Sequence, residues 1–333
     1  MNTIANVPKK YQTSDGADIR IGLALGSGSA RGWAHIGVIQ ELEEMGIRPG
    51  IVAGSSIGSF VGAAYASNRI DMLESWVRSL TWKEILNFID LTVIGGGFIQ
   101  GDKLFDFARQ HVKEDSIEAL PRLFGAVATE LDTGREVWFR DGPLLDSVRA
   151  SIGLPGLFTP VKLKDRWLVD GGIANPVPVS LCRAMGANVV IAVNLNGDIV
   201  GKHGRDRHKL LENDEREISN KEEILLGKAT LWDRISGQIK DNLTERKNFM
   251  LSQLLGDSLD SPSLFDVLAS SINIMQDRIT RSRMAGDPPE IILSPRLAQL
   301  GLLEFDEAAI AIEEGRASVQ RMQAALEQSM QDL

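Results

Sequence analysis

The sequence predicts an α/β fold with a mainly parallel central sheet, and three observations carry that prediction. First, two strand–turn–helix units follow one another near the start. An apolar run at residues 19–25 breaks into a Gly/Ser turn and then a helical pattern at 33–45. A β-branched pair at 51–52 then turns through Gly54-Ser55-Ser56-Ile57-Gly58 into a small-residue helix without a charge. Second, Val189-Val190-Ile191-Ala192-Val193 is an apolar run of the kind that sits inside a parallel sheet. Third, the chain beyond residue 197 returns to helical periodicity, which adds a C-terminal helical extension.

With 333 residues, 43% of them hydrophobic, the chain can bury a large core. A formal net charge of −9 speaks against a nucleic-acid binder, which needs a basic balance to displace counterions. A single cysteine, Cys182, rules out an intramolecular disulfide and reads as a small buried residue. The N-terminus lacks the apolar core of a signal peptide, and the glycines and serines of 51–66 fit a turn better than a membrane span. These features predict a cytoplasmic protein and leave contact with the inner-membrane surface open.

The elements follow in order. Residues 1–18 are polar and predicted to be a mobile tail. The strand at 19–25, the turn at 26–32 and the helix at 33–45, stopped by Gly46, form the first unit. The second unit, strand, elbow and small-residue helix over 51–66, is followed by a further helix predicted over 68–89, a Gly95-Gly96-Gly97 loop and a helix from 101 to 110. Strands are expected at 123–129 and 136–140, a helix at 144–150, and an apolar loop at 151–158. A short strand at 166–169 runs into Asp170-Gly171-Gly172, a helix at 181–185 stops at Gly186, and the 189–195 strand closes this part. After it come a charged loop at 197–221, amphipathic helix at 222–255, helix at 264–283, a strand at 288–293 and one helix at 305–330. The division predicted is a tail at 1–18, an α/β domain at 19–196, a charged and amphipathic segment at 197–287 that packs on or caps it, and a completing strand and helix at 288–333.

G-x-S-x-G between a strand and a helix is the context in which a serine becomes a nucleophile. The two glycines make room for a tight turn, and the hydroxyl sits at a helix N-terminus, where free N–H groups favour negative charge. The bland alternative is a small-residue turn. The first Gly/Ser turn reads either as a dinucleotide site or as an oxyanion hole. Its G-x-G-x-x-x-G spacing is one residue longer than the dinucleotide fingerprint, and no acidic residue ends the next strand. As an oxyanion hole it would aim the N–H groups of Ser27, Gly28 and Ser29 at one point. Asp170 ends an apolar strand before two glycines, an unusual place for a purely structural carboxylate, although D-G turns are frequent. Donors, nucleophile and base are the parts of an acyl-transfer site. No histidine stands in an obvious place. His35 lies in the first helix and His111 in a charged run. A Ser56–Asp170–His208 triad, or one with His203, would match the α/β-hydrolase chain order, but the charged G-R-D-R-H-K loop is too flexible and too basic to hold an oriented imidazole.

Gly28 to Gly32, Gly54-Ser55-Ser56-Ile57-Gly58 and Asp170-Gly171-Gly172 together resemble the patatin-like phospholipases. The strings L-A-L-G-S-G-S-A-R-G-W-A-H-I-G-V-I and W-L-V-D-G-G-I-A-N-P-V-P-V-S are most similar to the bacterial, RssA-like branch allied to neuropathy target esterase. The resemblance covers residues 21–195, with 288–301 similar too. It implies a three-layer α/β fold and a Ser56–Asp170 dyad in which Ser56 attacks a lipid acyl ester and Asp170 accepts its proton. The family's G-G-G-x-R/K-G turn falls on Ser27 to Gly32, with Arg31 at its basic position. Ser27 and Ser29 replace two of its glycines, which serine matches less well at positive φ.

The resulting expectation is a serine acyl-hydrolase of phospholipid or lysophospholipid that uses no metal or other cofactor. Homo-oligomerisation through 222–255 is the partner contact the sequence offers. The alternatives are a hydrolase fold retained as a regulatory, partner-binding protein, and a nucleotide-dependent enzyme using the first turn.

Overall fold

The computed structural model describes residues 11–12, 18–81, 114–155, 157–198 and 264–331, with positions 85, 105, 106, 108, 109 and 112 between them. By internal contacts the chain divides into a unit of residues 1–198 and 275–333 and a second of 199–274. The predicted Gly95-Gly96-Gly97 loop, the start of the helix at 101, His111, His203, His208, the 197–221 loop beyond residue 198 and the whole 222–255 helix lie outside the described residues.

Among the described residues, five parallel strands form the centre of the larger unit. They are β3 (Ile21–Leu25), β4 (Ile51–Ser55), β5 (Leu123–Glu130), β9 (Val189–Val193) and β10 (Ile291–Leu293), in the order β10-β9-β3-β4-β5. Three antiparallel strands extend the sheet: β6 (Glu136–Phe139), β7 (Val161–Leu163) and β8 (Arg166–Asp170). The predicted strand at 19–25 starts at Ile21. Asp18–Ile19 (β2) pairs instead with Tyr11–Gln12 (β1) in a small ladder that joins the stretch expected to be a tail to the first residue of the predicted strand. The strand β7 carried no sequence signal of its own, because its three residues gain their pairing only from β8.

Alternation along the central strands sends side chains to two cores. Leu23, Leu25, Val52, Phe124, Ile191 and Val193 enter one, with helices α1 (Ala34–Glu44), α2 (Ile57–Ala66), α3 (Ile70–Ser79) and α4 (Leu144–Ser151). Ala24, Ala53, Val127, Val190 and Ala192 enter the other, with α5 (Val179–Ala184) and Met284 of α6 (Leu264–Gly286). Strands covered on both faces must be apolar throughout, which is why β3, β4 and β9 read as continuous apolar runs. Cys182 is buried in the second core.

The helix expected at 68–89 is described as helix only over α3 and at the isolated position 85. The single helix expected at 305–330 is two, α7 (Ala308–Gln320) and α8 (Gln323–Gln331). The Met322 N–H turns tightly onto the Val319 carbonyl at 2.8 Å, and past this break Leu326 is wholly buried.

The pairing of β5 brings two distant strand ends together. One edge of β5 is taken by β6 at residues 126–129. The other edge is shared: β4 pairs with it up to Ser55↔Val127, and β8 takes over from Asp170↔Ala128. Since β8 runs antiparallel to β5, the carboxyl ends of β4 and β8 meet head on.

Candidate active site

Ser56 stands at that meeting point, between β4 and the first turn of α2. Its backbone has φ 56° and ψ −128°, a sparsely populated region that costs a non-glycine residue on the order of 1–3 kcal/mol. The surroundings hold it there. Its N–H donates to Ser151 Oγ at 3.0 Å, and its carbonyl accepts from the N–H and the hydroxyl of Ser59 at 2.8 and 2.6 Å. Gly54 and Gly58 are dictated by close approach: a Cβ on Gly54 would lie 2.4 Å from the Gly58 carbonyl oxygen, and one on Gly58 would lie 2.2 Å from that of Leu25.

Asp170 faces the serine. Ser56 Oγ donates to Asp170 Oδ2 at 2.5 Å, and the Gly172 N–H donates to Oδ1 at 2.7 Å. The carboxyl is fully buried, which pushes its pKa up to about 6, while the bonds from Ser56 and Gly172 pull it back. Behind it, the Asp170 N–H donates to the Gly153 carbonyl and its own carbonyl accepts from Thr129 Oγ1. Gly171 and Gly172 open a single 3₁₀ turn rather than a loose D-G turn. A Cβ on Gly171 would lie 2.1 Å from the Val127 carbonyl oxygen, so the crowding where β4 and β8 meet excludes any side chain there.

The Gly/Ser turn after β3 runs into a 3₁₀ turn at Ser29–Trp33 and then α1, so the predicted helix at 33–45 begins one residue later. The expectation for Ser27 is corrected: its N–H is taken by the Pro176 carbonyl at 2.9 Å. The N–H groups of Gly28 and Ser29 make no hydrogen bond among the described residues, and neither does that of Ile57 at the start of α2. Ser29 takes φ 53°, whereas Gly28 is extended at φ 169°. Arg31 is buried, and its Nε donates to the Gly28 carbonyl at 3.1 Å; burial lowers its pKa to about 10. Gly32 passes against Ile57, whose side chain would lie 2.3 Å from an added Cβ.

His35 is packed inside the protein. Its Nε2 lies 2.8 Å from the Gly26 carbonyl, and burial lowers its pKa to about 4, so it is neutral and anchors the turn. Sequence reasoning missed Ser151 and Ile57. A serine 95 residues away leaves no local trace, whereas the Ile57 N–H follows from helix geometry once the elbow is seen. Among the described residues no three His, Cys, Asp or Glu side chains are grouped to hold a metal, and no helix is long and apolar enough to cross a membrane.

A family model described as patatin-like phospholipase matches residues 23–183. An uncharacterized NTE family protein of Mycobacterium tuberculosis is 33% identical over 336 residues, covering 93% of this chain and 93% of its own. Patatin-like phospholipase domain-containing protein 6 of Homo sapiens is 33% identical over 223 residues, covering 65% of this chain and 15% of its own. A crystal structure of VipD from Legionella pneumophila aligns with 98% of this chain and 71% of its own at 11% identity and a TM-score of 0.42, too distant to bear on the site. With three motifs at the carboxyl ends of β3, β4 and β8 and a relative matched along nearly its whole length, the chain belongs to the patatin-like phospholipase family, in the branch allied to neuropathy target esterase.

Proposed function

We propose that the protein is a serine acyl-ester hydrolase acting on phospholipid or lysophospholipid, with Ser56 as nucleophile and Asp170 as proton acceptor. The observation that carries the reading is the 2.5 Å bond from the Ser56 hydroxyl to a fully buried carboxylate. In the first half-reaction Ser56 Oγ attacks the acyl carbonyl while its proton passes to Asp170 Oδ2. The tetrahedral oxyanion is met by the free N–H groups of Gly28 and Ser29, with Ile57 and the start of α2 adding positive potential. Collapse of the intermediate returns the proton from Asp170 to the leaving alcohol and leaves an acyl-serine. Water then repeats the sequence: Asp170 takes its proton, the hydroxyl adds to the acyl carbonyl, and the fatty acid departs as Ser56 recovers its proton. An aspartate of ordinary pKa is a weak base for this task; lifting it to about 6 narrows the gap while keeping it ionised at neutral pH. Because the substrate resides in a lipid surface, turnover brings the protein into peripheral contact with a membrane.

Intact-mass labelling with a fluorophosphonate probe tests the reading, with fatty-acid release from lysophospholipid measured alongside. Wild type should gain one phosphonyl group and release fatty acid, and Ser56→Ala should do neither. A Ser56→Ala variant that still released fatty acid at the wild-type rate would overturn it.

A further inference from the structure

Ser29 stands where the backbone conformation favours glycine, and its hydroxyl is engaged far away in sequence. At φ 53° an L-residue is held in an unfavourable region. Its Oγ donates to the Leu302 carbonyl at 2.6 Å, and the same carbonyl accepts the N–H of Ala30 at 3.1 Å. Four residues after Ser29, Trp33 Nε1 donates to the Phe305 carbonyl at 3.1 Å, with the two rings edge to face at 5.9 Å. The turn is therefore gripped by a segment outside the 23–183 match to the family model.

We infer that the Leu302 carbonyl and the Ser29 hydroxyl form a lock that aims the oxyanion donors, making Ser29 a positioning residue through its side chain. The peptide unit joining Gly28 to Ser29 is planar and trans, so its C=O and N–H point in opposite directions. Arg31 Nε holds the C=O of that unit at 3.1 Å. Fixing Ser29 at a single φ removes the remaining freedom, and the N–H is aimed away from Arg31. A glycine would reach the same φ readily, but nothing would hold it there. The serine thus replaces the family's conformational permission with a bond, and residues 302–305 become part of the reaction machinery. This inference rests on the acyl-transfer reading, in which that N–H meets an oxyanion.

The test compares wild type, Ser29→Ala and Ser29→Gly for hydrolysis of soluble p-nitrophenyl butyrate and for the rate of fluorophosphonate labelling at Ser56. Ser29→Ala keeps the cost of that φ to an L-residue but loses the lock that holds it; Ser29→Gly loses both the cost and the lock. Both variants should lose about tenfold or more in kcat and in labelling rate, with KM changed less than about twofold and the acidic midpoint of the pH profile unmoved. Misplaced donors weaken the transition state, whereas a disturbed dyad would move the pH midpoint. If Ser29→Gly reacts at the wild-type rate, the hydroxyl is only compensating strain and the lock is overturned. Failure of the acyl-transfer reading looks different: wild type itself is not labelled at Ser56, there is no oxyanion to hold, and the lock falls with it.

Discussion

The Asp170 carboxyl is held wholly buried between the Ser56 hydroxyl and the Gly172 N–H, with its pKa lifted from 3.8 to about 6. Two consequences have definite signs. If ionised Asp170 is the base, kcat/KM on a soluble ester should rise with pH through about 6 and level off above it. A protonated plateau extending to lower pH would remove Asp170 from that role. The native state also binds the proton more tightly than the unfolded chain does, so this group withdraws stability as pH rises from near 4 to near 6. The penalty at neutral pH is at most about 3 kcal/mol. Asp170→Asn, whose amide can accept from Gly172 and donate to Ser56, should abolish ester turnover and raise Tm at neutral pH. Its advantage should shrink as pH falls below 6 and vanish below about pH 3, where wild-type Asp170 is protonated in both states. His35 has the opposite sign. Its pKa is lowered to about 4, so its stabilisation is present above the unfolded value of 6.5 and is lost as pH falls toward 4. The two slopes offset each other in wild type. Thermal melts of Asp170→Asn across this range should lose the Asp170 slope and keep that of His35, together with those of Glu74 and Glu118, whose carboxyls are also held below their usual range.

Between elements, glycines decide what can touch. Helices α1 and α7 approach until backbone meets backbone: a Cβ on Gly37 would lie 1.9 Å from the Ile312 carbonyl oxygen, and one on Gly315 would lie 2.1 Å from that of Ala34. Gly37→Ala must push α7 away from α1 and should cost about 3 kcal/mol in denaturant unfolding. Gly286→Ala, with nothing within 4 Å of the added Cβ, should leave stability unchanged within about 0.5 kcal/mol. Equal effects from the two would show that the helices can separate freely. The same scale shows what could be read from the chain. Strand β4, the elbow glycines, α2 and the strand ending in Asp170 were legible, because turn chemistry and apolar runs are local. Ser151 beneath Ser56, the Leu302 carbonyl beneath Ser29 and the pairing of β8 beyond the end of β4 were not. Each depends on a contact between residues far apart, and neither partner carries a pattern that names the other. The loss of Ser27 as a donor has the same origin, since the acceptor is the Pro176 carbonyl.

At the scale of the whole molecule, the last stretch of chain completes both the sheet and the turn. Strand β10 pairs in parallel with β9 and covers an edge that would otherwise offer unpaired N–H and C=O groups. Beyond it, residues 302–305 hold the Ser29 turn, and α7 lies along α1. A chain ending at residue 287 would lose Ile291, Leu293, Leu297, Leu300, Ile312 and Val319 from the core. At roughly 2 kcal/mol for each buried side chain the loss is about 12 kcal/mol, comparable with the entire stability of a domain. Such a chain should therefore be insoluble when expressed alone, although it retains Ser56, Asp170 and every residue of the family match. Residues 288–333, co-expressed as a separate polypeptide, can restore the β9–β10 pairing, the α1–α7 contact and the Leu302 carbonyl without a covalent link. The co-expressed pair should be recovered soluble and should react with fluorophosphonate at Ser56. A soluble 1–287 chain that labels at the wild-type rate would place both the completed sheet and the oxyanion turn within the first 287 residues, and would leave the C-terminal stretch no part in either.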